Sequence, residues 1–144
     1  MTENATDSSN KALFTLSGNV IHGNHLGEKL GFPTANLDIE FGQELNGKLG
    51  VYAVLVHLKD KIYPGMANIG YKPTLKESSF SVEIHLIDFS GSLYGEKLII
   101  DFCKKIRNEM KFNSLQQLTE QMKRDKETAK EILSGFFKAD TNPA

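Results

Sequence analysis

The chain is 144 residues long, with 40% hydrophobic and 24% charged side chains, the proportions of a soluble globular domain with a sizeable core. Seventeen basic and eighteen acidic residues leave a net charge of −1, which argues against a broad nucleic-acid-binding surface while leaving room for a local basic cleft. Cys103 is the single cysteine and excludes an intramolecular disulfide, and no apolar run reaches membrane-spanning length, so the expectation is a cytoplasmic protein with no membrane partner.

Met1 to Asn10 is polar and lacks the apolar stretch of a secretory signal, and residues 1–11 read as a disordered lead. Phe14 to Val20 reads as the first strand. A glycine ladder overlaps its end, Gly18-x-Val20-x-x-Gly23-x-x-x-Gly27, and Leu30-Gly31-Phe32-Pro33-Thr34-Ala35-Asn36-Leu37 follows. Glycines at that density let a backbone approach another object closely. Pro33 then fixes one dihedral ahead of Thr34 and Asn36, whose i, i+2 spacing puts a hydroxyl and an amide on one face of an extended segment. Bare amides followed by two hard-oxygen side chains suit phosphate and Mg²⁺. A turn in which both side chains bond local backbone is the alternative, and the glycine ladder weighs against it. His22-Gly23-Asn24-His25 has no third ligand nearby and is read as loop. Gly42-x-x-x-x-Gly47-Lys48 is followed by Leu49, where a phosphate-binding P-loop requires Ser or Thr.

Gly50 to Leu58 is apolar on both faces and reads as a strand buried on both sides. Lys59-Asp60-Lys61 is a charged turn, and Ile62 to Ile69 is its hairpin partner. Pro64 and Gly65 inside that return predict an edge position or a bulge. Phe80, Val82, Ile84 and Leu86 share one face of the next strand, with Ser81, Glu83 and His85 on the other. Asp88 to Ser92 is a loop and Leu98 to Ile106 a further strand, with Ala35 to Ile39 adding one more. Short strands separated by glycine-rich turns point to an antiparallel barrel or sandwich.

Ser114-Leu115-Gln116-Gln117 is a capping box opening a helix with Leu115, Leu118 and Met122 on its apolar side. Asp125 is placed as the cap of a second helix carrying Ala129, Ile132, Leu133 and Phe136. Lys123, Arg124, Lys126, Glu127, Lys130 and Glu131 form a solvated face. One domain over 12–137 is expected, with 138–144 as a disordered tail.

Glu83 is the candidate general base, a carboxylate on a rigid strand able to take a proton from a substrate hydroxyl. By its strand pattern alone it reads more readily as a surface glutamate paired with a lysine; its company with the Thr34–Asn36 segment reverses that and favours the base. His85 reads as a structural or supporting histidine. Arg107 with Phe112 could hold a planar, polar-edged ligand, although a strand-end salt bridge with Phe112 in the core fits those residues better on their own.

In order along the chain, Gly18-x-Val20-x-x-Gly23, Leu30-Gly31-Phe32-Pro33-Thr34-Ala35-Asn36, Gly50-Val51-Tyr52-Ala53 and Asn68 to Thr74 resemble the ATP-dependent riboflavin kinases. Val82-Glu83-Ile84-His85, Leu93-Tyr94-Gly95 and Ile106-Arg107-x-Glu109-x-x-Phe112 extend the resemblance to nearly the whole chain. Any one piece is weak, but Pro-Thr-Ala-Asn followed at long range by Glu-x-His is specific.

The resemblance implies a six-stranded antiparallel Greek-key-like β-barrel with a C-terminal helical segment packed alongside. It implies transfer of the ATP γ-phosphate to the ribityl 5′-hydroxyl of riboflavin, with riboflavin/FMN and ATP/ADP as partners, no nucleic acid, and a monomer. Carried over, Thr34 and Asn36 hold Mg²⁺ (or another divalent ion such as Zn²⁺ or Mn²⁺) and phosphate oxygens. Gly23, Gly27 and Lys29 form the loop over the nucleotide. Glu83 is the base, and Arg107 and Phe112 lie near the flavin. Lys72 stands where many relatives have arginine, keeping the charge and losing the planar fork. The nucleotidyltransferase half of bifunctional relatives is absent from this sequence, and FAD synthesis by it is not expected.

Overall fold

Alternation of apolar side chains builds six strands whose inner faces interlock, and the computed structural model describes them through residues 11–24, 31–39, 42–73 and 78–141. They are β1 (Phe14–Asn24), β2 (Thr34–Leu37), β3 (Gly50–Leu58), β4 (Lys61–Pro73), β5 (Ser78–Leu86) and β6 (Lys97–Arg107), followed by helix α1 (Leu115–Thr141). The strands close into an antiparallel barrel in the order β1-β2-β5-β4-β3-β6. Closure leaves none of the six with an unpaired edge.

Tyr52, Val54, Ile69, Ile84, Ile100 and Phe102 are among the residues that fill the barrel. On the outside of the wall, Ala53, Leu55, Met66 and Cys103 pack against Ala129 and Leu133 of α1. Both faces of β3 are therefore apolar because one meets the barrel core and the other meets the helix. Burial of a side chain such as Leu133, 1% exposed, contributes about 1.5–3 kcal/mol. Among the described residues no helix is long and apolar enough to cross a membrane.

Four local expectations are corrected. Strand β4 runs on to Pro73 as an interior strand between β3 and β5, and the β3–β4 register passes Pro64 and Gly65 without a bulge. Gly65 is paired on both sides, while Pro64 pairs with Leu55 alone, one position beyond the first β4–β5 pair. Pro64 is tolerated because its polar side faces the finishing end of β5, where its carbonyl accepts from the Ile87 N–H at 2.9 Å. Gly65 is required because a Cβ there would stand 2.8 Å from the His85 carbonyl oxygen. His22 lies in β1, which runs through a register shift to Asn24, and is not a loop residue; His25 falls outside the described residues. Strand β2 begins at Thr34 and ends at Leu37, short of Ile39.

The fourth correction concerns the helix. Ser114 does cap it, accepting the Gln117 N–H at 3.1 Å, while Gln117 reaches back to the Asn113 N–H. No second helix starts at Asp125; α1 is continuous over 27 residues and runs past Phe137. Asp125 sits mid-helix with its carboxylate turned to β6 and no backbone amide to cap. The Gly42–Leu45 segment is a 3-10 turn in which Lys48 Nζ donates to the Glu44 carbonyl, not a phosphate loop.

Candidate active site

The site is set by register. Asn36 on β2 pairs with Glu83 on β5, Glu83 with Asn68 on β4, Asn68 with Val51 on β3, and Val51 with Arg107 on β6. One transverse row of the barrel thus carries an amide, a carboxylate, a second amide and a guanidinium. Ala35, Leu37, Ile84, Ala67 and Ile69 next to them belong to the barrel core. Alternation therefore turns Thr34, Asn36, Glu83, His85 and Asn68 to the outside of the wall.

Between that wall and the start of α1 lies a cavity of about 250 Å³. Thr34, Asn68, Glu83, His85 and Arg107 line it from the barrel, Glu109 and Phe112 from the connection to the helix, and Met122 and Asp125 from α1. Of the residues singled out in the sequence, Thr34, Glu83, Arg107 and Phe112 meet here. Asn36 does not line the cavity but is the direct cross-strand neighbour of Glu83. Gly23, expected in the loop over the nucleotide, is instead a β1 strand residue paired with Ala35 in the β1–β2 ladder. Gly27 and Lys29 lie outside the described residues, as does the side chain of Lys72.

Arg107 is held firmly. Its Nε donates to both oxygens of Asp125 at 3.1 and 3.0 Å, Nη2 lies 2.9 Å from Oδ2, and Nη1 donates to the Asn108 carbonyl at 3.1 Å. Gln121 also donates to Asp125, at 2.9 Å. The guanidinium stands 5.8 Å from the centre of the Phe112 ring. The strand-end salt bridge weighed for Arg107 is thus present, and its partner is a buried helix residue that sequence reasoning assigned to a cap.

His85 is also structural in its contacts. Nδ1 lies 2.7 Å from the Pro33 carbonyl, and the ring meets Phe32 edge-on at 5.6 Å. Because a carbonyl only accepts, Nδ1 carries the proton and Nε2 is left as a lone pair. Burial pushes the imidazole below its ordinary value; the Pro33 bond opposes this, the Lys126 charge adds to it, and Asp88 works against it.

Thr34 Oγ1 and His85 Nε2 are buried with no hydrogen-bond partner among the described residues. An unpartnered hydroxyl beside an amide and a carboxylate is a hard-oxygen donor set, which fits Mg²⁺. Among the described residues no three His, Cys, Asp or Glu side chains cluster as a metal cage. An ion held by Thr34 and Asn36 would therefore complete its shell with phosphate oxygens and water, the usual habit of Mg²⁺.

Residues 10–133 match the family model described as Flavokinase: Riboflavin kinase. The chain belongs to the riboflavin kinase family. A bifunctional riboflavin kinase/FMN adenylyltransferase from Haemophilus influenzae is 47% identical over 118 residues, covering 81% of this chain and 38% of the relative. A crystal structure from Streptococcus pneumoniae, described as a macrolide-efflux protein, matches with a TM-score of 0.72 at 32% identity, over 81% of this chain and 38% of that one. The riboflavin kinase structure from Trypanosoma brucei matches with a TM-score of 0.62 at 26% identity, covering 83% and 79%. The chain spans about 40% of the length of the bifunctional relatives it matches. Three stretches that carry the family resemblance, Pro33 to Asn36, Val82 to His85 and Arg107 to Phe112, converge on the cavity and the row beside it.

Asn68, Glu109 and Asp125 line the cavity without having been singled out as site residues. Asn68 had a signal, a lone amide between the core residues Ala67 and Ile69 in an apolar strand. Asp125 had a stronger one, a carboxylate at the i+3 position after Met122 and i−4 before Ala129, within the apolar stripe.

Proposed function

We propose that this chain phosphorylates riboflavin, moving the γ-phosphate of ATP to the ribityl 5′-hydroxyl to give FMN and ADP. The observation that carries the reading is the adjacency of Asn36 and Glu83 across the β2–β5 ladder, with Thr34 and Glu83 on one cavity. Phosphoryl transfer asks mainly for alignment and charge neutralisation, and rigid strands supply the first.

Glu83 accepts the proton of the 5′-hydroxyl as its oxygen forms the new bond to the γ-phosphorus. The bond from that phosphorus to the β–γ bridging oxygen breaks, and ADP leaves with the electron pair. Thr34 Oγ1 and the Asn36 amide oxygen would hold Mg²⁺, or another divalent ion such as Zn²⁺ or Mn²⁺. When bound, that ion neutralises charge on the transferring group. The family resemblance assigns Gly27 and Lys29 to the nucleotide side, with Gly23 in strand β1 ahead of them in the chain. Arg107, fixed by Asp125, and Phe112 form the wall on the flavin side.

On this reading the partners are riboflavin/FMN and ATP/ADP, and the chain works as a cytoplasmic monomer without nucleic acid. The test is incubation of the purified chain with riboflavin, ATP and Mg²⁺, followed by chromatography. FMN accumulating in proportion to ADP is the expected result. Tight flavin binding without turnover under any divalent metal or nucleoside triphosphate would replace the kinase with a flavin carrier.

A further inference from the structure

Proline interrupts the ladder beside the site, and a side chain takes its place. The β2–β5 pairing comprises Ala35 with Ile84 and Asn36 with Glu83, and stops there. One step further the antiparallel register sets Thr34 opposite His85. Pro33 has no N–H to extend the ladder. Its carbonyl is instead held by His85 Nδ1–H at 2.7 Å. The histidine is 6% exposed, braced edge-on by Phe32, and two positions from Glu83 on the same face of β5.

We propose that His85 is a positioning residue, whose Nδ1–H bond to Pro33 fixes the entry to β2 and so sets Thr34 Oγ1 relative to Glu83. The inference rests on the phosphoryl-transfer reading for its consequence and on the Pro33–His85 geometry for its cause. Strand β5 carries the carboxylate at Glu83 and, through His85, the clamp on the segment bearing the hydroxyl. A shift of β5 therefore moves both together. The remaining nitrogen, Nε2, is buried without a partner among the described residues, and His85 is one of the residues that line the cavity. The bond to Pro33 and the lone nitrogen can be separated by substitution. Asparagine places an N–H near the Nδ1 position, glutamine places one near Nε2, and phenylalanine keeps the ring with neither.

The experiment compares His85→Asn, His85→Gln and His85→Phe. Loss of one buried hydrogen bond at the clamp is expected to raise the KM for Mg·ATP by about tenfold in His85→Phe, with riboflavin affinity changed by less than about twofold. His85→Gln should behave like His85→Phe, and His85→Asn should recover most of the loss. Two further readouts do not depend on turnover. In the wild type, nitrogen-15 NMR should show the Nδ1-protonated neutral tautomer with slow exchange of that proton. Amide hydrogen exchange at Thr34 to Asn36 should rise about tenfold in His85→Phe and stay near wild type in His85→Asn.

Equal behaviour of all three variants, or an Nε2-protonated tautomer, would overturn the proposal. So would parallel loss of riboflavin and nucleotide affinity together with thermal stability, the pattern of a merely structural histidine. If His85→Phe does not fold, the tautomer and the Asn/Gln contrast still decide. If the wild type makes no FMN, the kinase reading fails while the tautomer and the exchange data still test the clamp.

Discussion

Asn36 and Glu83 are direct cross-strand partners, although 47 positions separate them in the sequence. The pairing is not adjustable, because Ala35 and Ile84 beside it are both buried in the barrel core. A slip of one residue would turn the amide and the carboxylate into that core and send apolar side chains to the cavity. Folding of the barrel and assembly of the site are therefore the same event.

Thr34→Val keeps the shape of the side chain and removes its oxygen. Thr34 Oγ1 has no hydrogen-bond partner among the described residues, so the substitution should leave the melting temperature within a degree or two. The KM for Mg·ATP should rise by about tenfold. Kinetics at varied Mg²⁺ check this, and an unchanged metal requirement would remove Thr34 from the phosphate side.

Asp125→Ala leaves the Arg107 guanidinium, 17% exposed, without its buried carboxylate. The expected cost is about 3 kcal/mol, read from urea denaturation. Arg107→Met combined with Asp125→Leu should recover more than half of that loss, since an apolar pair of similar volume avoids the desolvation of two charges. Recovery of stability without recovery of turnover would separate the structural use of Arg107 from its proposed place beside the flavin.

Gly65→Ala should destabilise the fold by about 1–3 kcal/mol, because the new Cβ would stand 2.8 Å from the backbone oxygen of His85. A denaturation midpoint equal to wild type would show that β4 and β5 can part at this point.

The buried His85 ring gives stability a dependence on pH. Folding holds it below its ordinary value of 6.5, so as pH falls the unfolded chain binds a proton before the native one does. Its contribution is fully present above the ordinary value. It is lost progressively as pH drops from there through the lower native value. Melting temperatures followed from about pH 7.5 to 5 should fall less steeply in His85→Asn than in wild type. Identical slopes would mean that the ring is not held neutral by burial.

Much of the barrel was legible because alternation is a local property. Phe80 to Leu86 displayed its core face and its polar face outright, and Glu83 stood out on the polar face only together with the Thr34–Asn36 segment. What stayed hidden depended on partners distant in sequence. Pro64 suggested an edge because a sequence does not show that β5 ends opposite it. Asp125 suggested a cap because its partner, Arg107, is on another element. The charge in the apolar stripe of α1 was the visible sign, since a carboxylate at such a position needs a buried partner. His85 was placed as supporting, and only the structure shows that it holds Pro33.

Replacing Glu83 with glutamine tests the central claim most directly, because it keeps the size and shape of the side chain while removing its charge and basicity. Turnover of riboflavin to FMN should fall by about 10²-fold or more, while riboflavin affinity, read from quenching of flavin fluorescence, stays within about twofold of wild type. Turnover equal to wild type in Glu83→Gln would contradict the account, leaving the Asn36–Glu83 row as a feature of the barrel and not of its chemistry.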